Sequence, residues 1–450
     1  MLRYDVLVIG GSAAGVTAAM TARRFNPSIS VGLVRREEKV SIPCGIPYIF
    51  GTVGSPEKNL LPDALLSGNK VELVLSEVVS ISPKEHEVTL SSGERIEYGK
   101  LILATGSNPI VPPIPGVDKA NVFTVKKDVP YLHSLLEKVN GANNIVIIGG
   151  GFIGAEFAEE CRKNHDVKVS IVEMLPHCLM LTYDEEFCVM AEESLKSQGV
   201  DIYTSERAQE ILGGESVKAV KLASGKEIPA DVVILGIGAS PNTEIAKSAG
   251  LPIGPAKGIQ VDRYMQTSES DVYACGDCAE KVSFFGGRPS TLRLASIATM
   301  ESRIAGANAC GAKRESPGVI GVFSTQLGGA ALSAVGLNEK MAKDMDLHVV
   351  TGQAEAVNRH PGSMPGAATL KVKLLFEELT GVLVGGEIVG ALSGAELINA
   401  LSVCVYQRMT AEEIALLQVG THPALTASPV AYQLVNAAEQ ALVKMRAKSK

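Results

Sequence analysis

The chemistry on offer in this chain begins with a cysteine set between prolines. Cys44 lies in Ser41-Ile42-Pro43-Cys44-Gly45-Ile46-Pro47-Tyr48. A lone redox thiol must cycle through a sulfenic acid or a mixed disulfide with its substrate. A buried, inert thiol is the ordinary state of a free cysteine, so the surrounding motifs decide its reading.

Two glycine turns offer phosphate binding. In Val6-Leu7-Val8-Ile9-Gly10-Gly11-Ser12-Ala13-Ala14-Gly15, the residues Gly10, Ser12 and Gly15 take the three glycine positions, with Ser in the middle. In Ile145-Val146-Ile147-Ile148-Gly149-Gly150-Gly151-Phe152-Ile153-Gly154 the set is complete: Gly149, Gly151 and Gly154. Such turns aim backbone N–H groups and a helix N-terminus at a pyrophosphate. Glu173 closes the strand that follows the second turn. A carboxylate there accepts from a ribose 2′-OH and repels a 2′-phosphate, which favours NADH over NADPH. In the first unit Arg35 falls at that position, and Glu37 is the alternative ribose ligand. Cys275 and Cys278 form a C-x-x-C without a second Cys/His pair at zinc spacing, so no metal is expected.

Each turn needs a strand before it and a helix and strand after it. The first run continues in helix-like sequence to Arg24 and a strand from Ile29 to Val34; the second in a helix to about Lys163 and a strand from Val167 to Glu173. These are two βαβ units about 140 residues apart, a duplicated nucleotide-binding architecture. After about residue 320 the texture changes. Leu370–Phe376 alternates in part, 381–390 reads as a strand, and 394–405 and 410–417 read as helices, the last opened by Thr410 and two acids. The expected fold is α/β, with two Rossmann-like domains and a C-terminal α+β domain.

Composition agrees with a folded enzyme. The chain has 450 residues, 46% hydrophobic and 20% charged, and a formal net charge of -7. Its basic residues cluster only in a short tail, Lys444, Arg446, Lys448 and Lys450, so no nucleic-acid partner is expected. No apolar run is long enough to span a bilayer, and no leader pattern opens the chain. Eight scattered cysteines make no disulfide framework, and a reducing cytoplasm is expected.

Further segments extend the pattern to a known family. Leu101-Ile102-Leu103-Ala104-Thr105-Gly106-Ser107 resembles the strand-turn closing the first FAD segment of two-dinucleotide-binding flavoproteins. Gly236-Ile237-Gly238-Ala239-Ser240-Pro241-Asn242 and Val272-Tyr273-Ala274-Cys275-Gly276-Asp277 resemble the later segments. The stretch around Cys44 resembles the active site of the single-cysteine pyridine nucleotide-disulfide oxidoreductases: coenzyme A disulfide reductases, NADH oxidases, NADH peroxidases and persulfide reductases. The resemblance covers nearly the whole chain in the same order.

It implies an FAD-dependent NAD(P)H oxidoreductase with a small-molecule sulfur substrate, or alternatively O2, and a homodimer. It implies an FAD domain of 1–118 and 245–320, an NAD domain of 119–244 and a dimerisation domain of 321–450. Ser12, Ala13, Ala104, Thr105, Gly106, Gly238 and Asp277 would face FAD, Asp277 at the ribityl chain. Phe152, beside Ile153 in the second turn, would cover the flavin until nicotinamide displaces it; a packing role is the rival reading. Where two-cysteine relatives carry a second thiol, this chain has Ile49. Peroxidases and oxidases carry a histidine where Ala13 stands, and coenzyme A disulfide reductases carry tyrosines where Ser363 and Met364 stand. Thr421-His422-Pro423 resembles a segment whose histidine serves the partner subunit's redox site, although Ala427 replaces its orienting glutamate. Arg23 and Ser41 match positions that hold coenzyme A phosphates in relatives; a solvated helix-end arginine is the plainer reading of Arg23.

Overall fold

The computed structural model describes residues 2–163 and 166–448; Lys450 of the basic tail lies outside them. The elements used below are, in chain order, β1 (Leu2–Ile9), α1 (Ala13–Phe25), β2 (Val31–Arg35), β3 (Glu72–Leu75), β4 (Arg95–Leu103), β5 (Asn144–Ile148), α2 (Phe152–Lys163), β6 (Lys168–Val172), α3 (Glu185–Ser197), β7 (Val200–Tyr203), β8 (Val232–Leu235), β9 (Val272–Ala274), α4 (Ala295–Asn308), β10 (Val322–Leu327), β11 (Ala330–Gly336), β12 (Val349–Val357), β13 (Thr369–Glu377), β14 (Leu383–Gly390), α5 (Gly394–Tyr406) and α6 (Gln433–Lys448). They form two compact units, one of residues 1–112, 123–141 and 238–320, the other of 113–122, 142–237 and 321–450.

In the first unit a parallel sheet runs β3-β2-β1-β4, with β9 pairing the far end of β4 and an antiparallel extension through Glu87–Leu90 and Val78–Ser82. The apolar run of β1 is buried on both faces. Leu7 and Ile9 join one core cluster with Leu101 and Leu103, while Val6 and Val8 join another with Ala18, Ala22 and Ile304. Alternation along the strand sends neighbours to opposite sides, and helices cover a sheet of this kind. The first helix carries Arg23 and Arg24 in its last turn, where they oppose the helix dipole. The second strand begins at Val31 rather than Ile29, because Ser30 is tied to Asp5 through both its N–H and its hydroxyl, which ends the turn one residue before the strand.

The second unit repeats the theme. Its parallel strands run β7-β6-β5-β8. Glu173 stands one residue past β6. A five-stranded antiparallel sheet, β10-β11-β14-β13-β12, completes the unit, with α5 packed on β11 and β14 and α6 on β12 and β13. Thr410 caps the short helix Ala411–Ala415 in a reciprocal capping box with Glu413. Among the described residues, no helix is long and apolar enough to cross a membrane.

Candidate active site

Every parallel strand of the first sheet delivers a loop at its carboxyl edge. The switch in strand order lies between β1 and β4, where an α/β sheet opens a ligand crevice. Gly10 leaves β1 at φ +112, and a Cβ on it would lie 2.1 Å from the Ala104 carbonyl oxygen. A Cβ on Gly15 would lie 1.8 Å from the Gly10 oxygen. The turn and the first helix therefore pack at glycine distance. Ser12 stands at the N-cap of α1 without a side-chain capping bond, and Ala13 opens a first turn free of acids. The N–H groups of that turn fit a phosphate.

The neighbouring loops converge on the same edge. Thr105 donates its hydroxyl to the Asn242 carbonyl at 2.6 Å, Asn242 donates its N–H to the Gly106 carbonyl at 2.9 Å, and Ile110 donates to Gly238 at 3.0 Å. Ser107 donates to the Asp277 carboxylate at 2.7 Å. Two residues invisible in the motif hold the Asp277 loop. Lys281 Nζ donates to the Gly276 carbonyl at 2.6 Å and to Glu301 at 2.9 Å, and Glu301 also accepts the Gly276 N–H. Both side chains are buried. An apolar-facing Glu in α4 was the available signal, but nothing local ties it to Lys281.

Arg35 sits beneath the first turn, buried. It grips Asp63 through two bonds of 2.6 and 2.8 Å and donates to the Glu37 and Glu38 carbonyls. Glu37 takes the Arg36 guanidinium. Arg23 donates to the Ile29 carbonyl.

Cys44 follows the carboxyl edge of β2, on a 3₁₀ turn from Pro43 to Gly45. All eight cysteines lie among the described residues; Cys44 is exposed, six are buried and Cys310 is half-buried. Burial pushes the Cys178 and Cys188 thiols up to about 12, with nearby carboxylates adding to it. Cys275 and Cys278 are also raised by burial. The Cys278 sulfur donates to the Leu103 and Cys275 carbonyls, so the C-x-x-C packs against β4. Ser41 is buried against Asn59.

The second turn copies the first. Gly149 N–H bonds Val172 as Gly10 N–H bonds Val34, and Ala155 N–H bonds Gly151 as Val16 bonds Ser12. A Cβ on Gly154 would meet the Gly149 oxygen at 1.8 Å, while one on Gly151 would meet nothing within 4 Å, leaving the middle position open. Glu173 accepts the Gly150 and Leu175 N–H groups at 2.6 and 2.8 Å. Ile153 follows Phe152 in the first turn of α2. Phe152 stacks on Phe323, centroids 5.2 Å apart, with Tyr183 tilted alongside. In the C-terminal part, His422 is exposed. Its Nδ1 accepts the Ala424 N–H, which leaves a neutral ring's proton on Nε2. His360 lies against the same segment, donating its N–H to Pro423 and placing Nδ1 3.1 Å from the Thr426 carbonyl.

Residues 4–302 match the family model described as pyridine nucleotide-disulphide oxidoreductase, and 322–432 match that family's dimerisation domain. The chain belongs to this family. It is an oxidoreductase, and the family implies FAD and NAD(P)H; both glycine cradles and the Asp277 loop fit such dinucleotides. An NADH oxidase of Methanocaldococcus jannaschii is 31% identical over 98% of this chain and 99% of its own. An NAD(P)H coenzyme A polysulfide/persulfide reductase of Pyrococcus horikoshii is 33% identical over 85% of this chain and 87% of its own. The solved NAD-dependent persulfide reductase from A. fulgidus superposes with a TM-score of 0.92 at 30% identity, covering 99% of this chain and 84% of that one.

Proposed function

We propose that this oxidoreductase is a homodimeric, FAD-dependent enzyme that uses NADH to cleave a sulfur–sulfur bond of a small disulfide, persulfide or polysulfide through Cys44. The exposed thiol on the turn after β2 carries the reading. Bound FAD would supply the relay of an electron pair from NADH.

The Cys44 thiolate attacks one sulfur of R–S–S–R′. A Cys44–S–S–R bond forms, the S–S bond of the substrate breaks, and R′–S⁻ leaves. Two electrons then cleave the mixed disulfide to the Cys44 thiolate and R–S⁻. Overall, NADH, H⁺ and R–S–S–R′ become NAD⁺, RSH and R′SH. Ile49, five residues on, offers no second thiol to form an internal disulfide. Ser12, Ala13 and the glycines of the first turn would hold the FAD pyrophosphate and Asp277 the ribityl chain, with Arg35 bracing the turn from below and Glu37 as the ribose candidate. The second turn holds NADH, with the Glu173 carboxylate set against a 2′-phosphate. Phe152, stacked on Phe323, takes the packing role of the two readings. His422 of the partner subunit protonates the departing thiolate. A reducing compartment such as the cytoplasm suits this thiol.

NADH oxidation by O2 is the second reading, favoured by the likeness to the M. jannaschii oxidase along almost the whole chain. Anaerobic reduction with NADH, followed by coenzyme A disulfide, coenzyme A persulfide, polysulfide, peroxide or O2 in parallel, separates the two. Cys44→Ser should abolish turnover with the sulfur acceptors and spare direct oxidation by O2. Sulfur reduction that survives the substitution removes the Cys44 mechanism.

A further inference from the structure

We infer that Asn59 is a positioning residue for the Cys44 turn, holding the reactive thiol in register from a segment fifteen residues away in sequence. The inference rests on the Cys44 reading above.

Asn59 is buried, and its amide spans the backbone that carries the cysteine. Nδ2 donates to the Ile42 carbonyl at 2.9 Å and to Ser41 Oγ at 3.1 Å. Its own carbonyl accepts the Ile42 N–H at 2.9 Å. The Ile42 carbonyl is also the acceptor that closes the turn, taking the Gly45 N–H at 3.1 Å. One oxygen thus receives both the turn's own bond and the Asn59 amide, with Cys44 enclosed between its two ends. Val40 and Leu61 extend the same two-chain clasp, the Leu61 N–H donating to Val40 at 2.8 Å.

Gly45 is the other half of the device. A Cβ there would fall 2.0 Å from Asn59 Oδ1. The residue after the cysteine has no side chain because the asparagine amide occupies that space. The Ile42 carbonyl facing Nδ2 can only accept, so the isosteric carboxylate of Asn59→Asp would set like partial charges together near the thiolate. Reactive geometry is steep in distance: a 1 Å displacement costs on the order of 100-fold.

The test uses the FAD-loaded enzyme with Asn59→Ala, Asn59→Asp and Gly45→Ala, alongside Cys44→Ser. Three quantities are read: steady-state kcat and KM with a sulfur acceptor, the anaerobic rate of flavin reduction by NADH, and the pH profile of Cys44 alkylation by iodoacetamide. Each of the first three variants should lower kcat for sulfur reduction by about 10- to 100-fold. Flavin reduction should stay within about twofold, and the alkylation midpoint should move to higher pH, furthest in Asn59→Asp. Wild-type kcat and an unmoved alkylation profile in Asn59→Ala and Asn59→Asp would overturn the inference. If flavin reduction falls in parallel with kcat, the asparagine serves only folding and the inference also fails. Sulfur turnover retained by Cys44→Ser would instead remove the underlying Cys44 reading.

Discussion

The Lys281–Glu301 pair should govern how tightly the enzyme holds FAD. The two charged groups lie 2.9 Å apart with side chains only 3% and 1% exposed. Glu301 accepts the Gly276 N–H, and Lys281 donates to the Gly276 and Ala279 carbonyls, so the pair clasps the loop that presents Asp277. Replacing Glu301 by Leu leaves an ammonium in the core without a counter-charge, a loss of about 3–5 kcal/mol. Falling on the loop, about 3 kcal/mol corresponds to roughly 150-fold weaker FAD binding. Lys281→Met should do similar damage by stranding the carboxylate. The double variant Lys281→Met/Glu301→Leu strands neither charge, and replacing a whole buried ion pair by apolar side chains is often neutral or stabilising by about 1–4 kcal/mol, which offsets the three hydrogen bonds lost to the loop at about 1 kcal/mol each. It should therefore recover much of the affinity. Equilibrium dialysis of the apoenzymes against FAD, followed by flavin fluorescence, measures all four proteins. Single variants that bind FAD within a few-fold of wild type, or a double variant as weak as the singles, would refute the reasoning.

Other expectations follow from the same geometry. Gly15→Ala and Gly154→Ala each place a Cβ 1.8 Å from a carbonyl oxygen; the first should yield protein purified without flavin, and the second should retain FAD but lose its reduction by NADH. Glu173→Ala should lower the NADH/NADPH ratio of kcat/KM and raise the KM for both, since the carboxylate also braces the Gly150 N–H; an unchanged ratio counts against its proposed ribose role. Burial pushes the Glu156 carboxyl up to about 7, against the pull of the Thr325 hydroxyl and with added repulsion from Glu159 and Glu160. The folded chain keeps a proton that the unfolded chain has released, so this contribution to stability is complete below about pH 4.5 and is lost as pH rises through about 7. The loss amounts to at most about 3 kcal/mol. Glu156→Gln should flatten that slope; parallel curves of thermal midpoint against pH for variant and wild type would disprove it.

Legibility in this sequence followed distance along the chain. The glycine turns, the strands feeding them and the Thr410 cap depend on residues within a few positions of one another, so residue type and spacing already state their geometry. Residue type and context also single out Cys44 in its proline-flanked segment and Asp277 in its motif as candidates, without stating what surrounds them. Strands β10, β11 and β12 and helix α6 carry no such local mark, since their apolar positions mix with polar residues and their pairing depends on neighbours far away. What only the tertiary structure decided are the pairings that fix the site: Asp277 with Ser107 across 170 residues, Thr105 with Asn242 across 137, Arg35 with Asp63 across 28, Lys281 with Glu301 across 20 and Asn59 with Ser41 across 18. Each joins segments that meet only once the strands have taken their register and the helices have docked. A buried polar side chain finds its partner through that packing, and spacing along the chain carries no trace of it.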